Sequence, residues 1–193
     1  MTVPVTVLVV AKCPVSGLAK TRLACTLGAA VAADLAAAAL LDTLDAVAAA
    51  PVAARMVALT GDLASARGAA AIRDRLADFT VVPQRGNDFG ERLANAHHDA
   101  ACLGYPVLQI GMDTPQVTAK LLTACALRLL RADSVLGPAS DGGWWLLGLL
   151  LVPTCIVLVL AALYGQLSSV PVVAGALRGM GAVAAGLVMA TGL

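Results

Sequence analysis

Three cations around a glycine, Lys12, Lys20 and Arg22 about Gly17, are the first residues of this chain whose types and spacing could do chemistry. They lie in AKCPVSGLAKTRL, residues 11–23, with a short apolar run before it and a long Ala/Leu-rich run after it. A strand–loop–helix of this kind suits a polyphosphate. The glycine lets backbone approach the ligand, a helix start offers unpaired N–H groups, and the cations neutralise charge. The pattern is neither the P-loop G-x-x-x-x-G-K-[ST] nor the dinucleotide fingerprint G-x-G-x-x-G. A surface turn that happens to carry three cations is the other reading, and this stretch alone does not choose between them.

Two carboxylates form the second group: Asp113 in GMDTP and Asp141 in GPASDGG. A third polar stretch, QRGNDFG at 84–90, adds the amide of Gln84 and the backbone of Gly86. Phosphate-binding cations and strand-end carboxylates together are what Mg²⁺- or Mn²⁺-assisted chemistry on a nucleotide requires, because such an ion takes one or two carboxylates plus phosphate oxygens. Either aspartate alone reads as well as a helix cap or turn residue, Asp113 before Thr-Pro above all. Their convergence on one edge is what favours a site.

That convergence depends on the elements between them. Apolar, β-branched runs predict strands at 5–10, 55–60, 79–83, 105–110 and 134–136, with 144–149 as the last strand. Helical patterns fall at 21–50 (one helix or two, ended before Pro51), 63–76, 91–103 and 117–130. Strand and helix alternate, so the expected fold is α/β, a mostly parallel Rossmann-like sheet covered by helices. Loops after the carboxyl ends of such strands share one edge, where ligands bind. The stretches 12–20, 84–90, 112–115 and 138–143 all fall there.

Composition sets further bounds. The chain has 193 residues, enough for one domain, but 60% apolar residues and a mean hydropathy of +0.87 exceed those of an ordinary water-soluble domain. The excess is localised. All the charged residues except Arg178 lie at or before Asp141, where 12 cations balance 12 anions. That balance argues against nucleic acid as a partner. The five cysteines have no C-x-x-C spacing and read as reduced, mostly buried small residues of a cytoplasmic body. His97 and His98, with no third ligand nearby, read as surface residues, and Phe89 as a side chain that packs its loop down.

Four ordered motifs, A-K-x-P-x-x-G-x-x-K-T-R-L, Q-x-G-x-x-F-G-E-R-L, I-G-M-D-T-P and G-P-A-S-D-G-G-W-W-L-L-G-L, make residues 3–149 resemble the bacterial glycosyltransferase-A-like family, related to the molybdenum-cofactor and phospholactate guanylyltransferases. The resemblance implies a nucleotide-diphospho-sugar transferase (GT-A) fold that binds a nucleoside triphosphate or nucleotide-sugar with Mg²⁺ or Mn²⁺. It implies that Lys12, Gly17, Lys20 and Arg22 hold phosphates and that Gln84 and Gly86 face the nucleoside. Asp113 would hold the metal, and Asp141 the acceptor or a second metal, the two being the catalytic pair. The acceptor is unspecified, and nucleotidyl and glycosyl transfer stay open. Trp144 stands where the family usually has tyrosine, and its further aspartate-bearing strand has no counterpart after Leu149.

Residues 150–193 carry a single charge, Arg178. The last 24 of them are long enough to cross a hydrocarbon core of about 30 Å, and the whole segment resembles a fragment of a chromate transporter. The expectation is a GT-A-like domain at 1–149 followed by a hydrophobic helical segment at 150–193 that associates with a membrane and anchors the cytoplasmic body. A helical pair packed on the sheet is the alternative. Two functions remain: a metal-dependent nucleotidyl- or glycosyltransferase, or a non-catalytic membrane-associated protein with a remnant nucleotide-binding body.

Overall fold

The run VPVTVLVVAK forms the central strand β1 (Val3–Lys12) because nearly every residue of it is buried, and a strand covered on both faces needs apolar side chains on both. The computed structural model describes residues 1–139 and 143–150. Around β1 the chain folds α1 (Thr21–Leu27), α2 (Ala29–Ala49), β2 (Val52–Thr60), a 3-10 turn at Leu63–Ser65, α3 (Ala69–Leu76), β3 (Thr80–Pro83), α4 (Phe89–Ala101), β4 (Val107–Gly111), α5 (Ala119–Leu129), β5 (Ser134–Pro138) and β6 (Trp144–Leu149).

The strands make one mixed sheet in the order β3-β2-β1-β4-β6-β5. Strands β1 to β4 run parallel, and β6 runs antiparallel to both β4 and β5. The expected mostly parallel α/β sheet is therefore present, with β6 as the reversed strand. Reversal puts the start of β6, not its end, on the edge where β1 to β5 finish.

The two faces are covered unequally. Val5, Val7 and Val9 pack with Leu40 and Leu44 of α2, Ile72 of α3 and Leu122 of α5. Leu8, Met56, Ala58 and Val107 face Ala96 and Ala100 of α4, which also sets Leu93 against Leu147 and Leu149. Alanines Ala32, Ala33, Ala36 and Ala37 let α2 approach closely, and fully burying a leucine such as Leu44 contributes about 1.5–3 kcal/mol.

The helical run at 21–50 divides at Gly28, whose φ of 86° and ψ of 153° no side-chain-bearing residue adopts easily. The segment 63–76 is helical only in part, because Arg67-Gly68 interrupts it. Arg67 then pairs with Asp34, and Arg75 with Asp45, tying α3 and its approach to α2 from a solvated face.

Two expectations about individual residues fail. His97 is not at the surface: α4 turns it onto the sheet, where it is fully buried with Thr6 and Gln109. Its helical spacing from Leu93 and Ala100, both buried, places it on the core face. The cysteines are not mostly buried either. Cys13 is buried and Cys125 half-buried, but Cys25 and Cys102 are exposed, and Cys155 lies outside the described residues.

No helix among the described residues is long and apolar enough to cross a membrane. The expected membrane segment at 150–193 lies outside the described residues, apart from Leu150.

Candidate functional site

Strand β1 ends at Lys12, beside the end of β4. The register pairs Val10 with Gly111, and the Lys12 amide reaches Met112 Sδ at 3.2 Å, so Lys12 and Asp113 emerge side by side. The loop between β1 and α1 is tied down by its own backbone. Cys13 N–H donates to Thr60 O at 2.8 Å, Ala19 N–H to Val15 O at 3.0 Å, and Pro14 O accepts from Arg67 N–H at 3.0 Å. Gly17 takes a φ of 81° within it. Burial and the nearby Asp62 carboxylate push the Cys13 thiol pKa up, which makes it a poor nucleophile.

This loop delivers Lys20 in a left-handed conformation, φ 48° and ψ 47°, the only non-glycine so placed among the described residues. Such a conformation costs about 1–2 kcal/mol. Its ammonium meets the Asp113 carboxylate in a direct ion pair. Both side chains keep substantial exposure, 38% for Lys20 and 46% for Asp113, so the pair contributes at most about 1 kcal/mol to folding.

Asp113 is not serving as a cap. The turn after β4 is closed by the Thr114 hydroxyl donating to Gly111 O at 3.0 Å, and α5 is capped by Thr118, whose Oγ1 accepts from Leu121 N–H at 3.2 Å. Local structure therefore leaves the Asp113 carboxylate to face the cations. Lys12 and Arg22 are exposed on the same loop and helix, and neither forms an ion pair among the described residues.

Gln84 and Gly86 have local roles. Both hydrogens of the Gln84 amide are used, on Ala11 O at 2.7 Å and Ala58 O at 2.9 Å, clamping the ends of β1 and β2. Only its Oε1 stays available to a ligand. Gly86, at φ 136°, lies so close to α4 that a Cβ there would come within 2.6 Å of Glu91 Cβ. The first turn of α4 holds this loop: Asp88 accepts from Glu91 N–H at 2.8 Å, and Glu91 accepts from Asn87 N–H at 2.8 Å.

On the other side of Asp113 a cleft of about 450 Å³ opens between α4, β4 and the start of β6. Phe89, Leu93, Trp144 and Trp145 wall it, and Gln109 forms part of its floor. Phe89 was expected to pack its loop down; it is instead 59% exposed and stands in the cleft wall. Gln109 is missing from the sequence-derived site. Its signal was one amide inside the otherwise apolar VLQIG of a central strand. Beneath it, burial drives the His97 pKa down to about 4, opposed by the nearby Gln109 amide, which falls short of a hydrogen bond to either ring nitrogen.

The structure thus brings Lys12, Lys20 and Asp113 to one edge, with Gly17 and Arg22 on the adjoining loop and helix and Gln84 at the ends of β1 and β2, while Gly86 lies against the first turn of α4. Asp141, the second expected catalytic and metal residue, lies outside the described residues. Among those described, no three His, Cys, Asp or Glu side chains group as a metal site. Asp113 alone fits an ion whose remaining ligands are substrate phosphates and water.

A candidate nucleotide-diphospho-sugar transferase from Desulfovibrio desulfuricans G20 has a similar structure: TM-score 0.65 at 28% identity, over 77% of this chain and 64% of that one. This chain therefore spans less than two thirds of that protein's length. A cytidylyltransferase from Leptospira borgpetersenii serovar Hardjo-bovis shares the fold, with TM-score 0.52 at 15% identity over 89% of this chain and 71% of that one. The sheet is that of the nucleotide-diphospho-sugar transferase fold. No curated protein matches the sequence. Nothing in these comparisons bears on the chromate-transporter resemblance. The sequence profile of DUF2064, described as an uncharacterized protein conserved in bacteria, matches residues 43–159, and the chain belongs to that family.

Proposed function

We propose that the chain binds a nucleoside triphosphate or nucleotide-sugar across the carboxyl edge of its sheet and transfers a nucleotidyl or glycosyl group to an acceptor. The observation that carries this reading is Lys20, held in a strained backbone conformation with its ammonium on Asp113. A cation and a carboxylate kept together at half exposure add little to folding; they suit a ligand with phosphates for the one and a metal for the other. Lys12, Lys20 and Arg22 would bind the phosphates, with Gly17 admitting backbone close to them, and the Oε1 of Gln84 is the group left to meet the nucleoside. Asp113, with Asp141, would hold Mg²⁺ or Mn²⁺, which when bound supplies charge neutralisation on the phosphates.

In the transfer itself an acceptor oxygen bonds to the α-phosphorus or the anomeric carbon. Pyrophosphate or the nucleoside diphosphate leaves with the bonding electron pair, and a base takes the acceptor proton. A second reading is a non-catalytic body that binds nucleotide without turnover. In either reading residues 1–149 make the nucleotide-binding domain, and residues 150–193 a separate membrane-associated segment.

Thermal stabilisation of the full chain by nucleoside triphosphates and nucleotide-sugars, with and without Mg²⁺, tests the binding. A ligand at 100 times its dissociation constant raises stability by about 2.7 kcal/mol. Stabilisation with product formation supports transfer, stabilisation alone supports the remnant, and no stabilisation by any of them removes both.

A further inference from the structure

We infer that His98 and Cys102, on successive turns at the end of α4, form a two-donor chelate for a zinc-class divalent ion. Helix α4 connects the end of β3 to the start of β4, and those strands run parallel, so its last turn lies at the edge opposite the ligand edge. Whatever the ligand edge binds, this pair stands apart from it.

The helix stays regular to its end, where Cys102 N–H donates to His98 O at 3.1 Å. Side chains four residues apart on such a helix stack on one face, with Cβ atoms about 5–6 Å apart. Here the stacking brings Cys102 Sγ to 3.9 Å from His98 Nε2, and both side chains are exposed to an incoming ion. A tetrahedral ion bonded to sulfur at about 2.3 Å and to nitrogen at about 2.0–2.1 Å holds the two donors about 3.6 Å apart. The pair is therefore set within about 0.3 Å of that bite, a difference that a small side-chain rotation supplies.

Donor chemistry selects the ion. Thiolate and imidazole suit zinc, whereas Mg²⁺ takes oxygen donors. Two donors four residues apart on a helix are also the spacing by which paired histidines hold zinc. Among the described residues no third His, Cys, Asp or Glu groups with the pair, and the neighbouring Asp99 is taken by Arg85, so water fills the remaining positions. His98 binds as the neutral tautomer with its proton on Nδ1. The Cys102 thiol gives its proton to solvent, sulfur and Nε2 each donate an electron pair to the ion, and nothing is oxidised or reduced. An ion held this way clips the last turn of α4, whose other face covers the sheet.

The full chain, kept reduced in a mild detergent, is titrated with Co²⁺ and then with Zn²⁺ or Mg²⁺. Saturable Co²⁺ binding should bring up a thiolate-to-cobalt absorption band in the near ultraviolet, which Zn²⁺ removes and Mg²⁺ does not. Oxygen donors give no such band, so an ion at Asp113 is silent in it. Cys102→Ser should abolish the band, and His98→Gln should weaken Co²⁺ binding at least tenfold. His98→Cys, which puts a donor back four residues before Cys102, should restore it. Both positions are exposed, so these variants leave the core intact. Zn²⁺ should raise the melting temperature of the parent and not that of Cys102→Ser. Absence of the band would mean that the pair is only a thiol–imidazole contact, and it overturns the inference. So does a band that survives Cys102→Ser, as it would if Cys25 supplied the sulfur, or a Co²⁺ affinity that His98→Gln leaves unchanged.

Discussion

Lys20 and Asp113, 93 residues apart in the chain, meet in an ion pair at the ends of two neighbouring elements. The contact joins the loop after β1 to the turn after β4. It lets the two roles at the edge be separated by substitution.

Lys20→Ala should lower nucleotide affinity at least tenfold, about 1.4 kcal/mol, if the ammonium binds phosphate. Folding stability should change by less than about 1 kcal/mol, because a half-exposed pair contributes little and replacing lysine does not remove the left-handed strain. Calorimetric titration beside thermal melting checks both. Unchanged affinity would remove Lys20 from the site.

Asp113→Asn keeps the shape of the side chain and loses its charge. Since Thr114 closes the turn and Thr118 caps α5, the variant should melt within about 0.5 kcal/mol of the parent. Mg²⁺-dependent nucleotide binding should fall at least tenfold, and nucleotide binding without metal should not. If the Mg²⁺ dependence survives, Asp113 is no metal ligand.

Much of this edge was legible in the sequence, for a physical reason. Strands buried on both faces must be apolar throughout, so runs such as 5–10 announce themselves, and glycine, aspartate and lysine at their ends stand out against them. What stayed hidden depends on packing across the sheet. Nothing local to WWLLGL says that it runs antiparallel between β4 and β5, and that reversal carries Trp144 and Trp145 to the ligand edge. His97 and Phe89 were misplaced for a related reason. One face of α4 covers the sheet alone among the described helices, while its first residue is left at the cleft. Gln84 was read as facing a ligand, yet it is spent largely on two strand-end carbonyls that only the folded sheet brings together.

The hydrophobic C-terminal segment gives a prediction that rests on sequence. Residues 150–193 hold about forty apolar or small residues and a single charge, Arg178, so helices there could not present a polar face to water. The full chain should partition into liposomes or detergent in flotation assays. A chain shortened to residue 149, which lacks the segment, should not. A full chain that stays monomeric in detergent-free buffer would show that the segment covers its own apolar surface.

His97 makes folding sensitive to acid, and the sign follows from its burial. In the folded chain its pKa lies near 4, below the ordinary value of about 6.5, so the unfolded state takes up a proton that the folded state refuses. The stability this protects is fully present above pH 6.5 and is lost as pH falls from there towards 4, up to about 3 kcal/mol. Gln109, whose amide lies near the ring, does not titrate. His97→Leu removes the titrating group and two unpartnered buried nitrogens together, so it should cost less than about 1 kcal/mol at pH 7.5 or even stabilise. Urea unfolding at pH 7.5 and pH 5 measures the difference directly. The parent should lose about 1–2 kcal/mol more than His97→Leu between the two. Equal losses would mean that the imidazole is solvated in the folded state and that α4 does not seal this face.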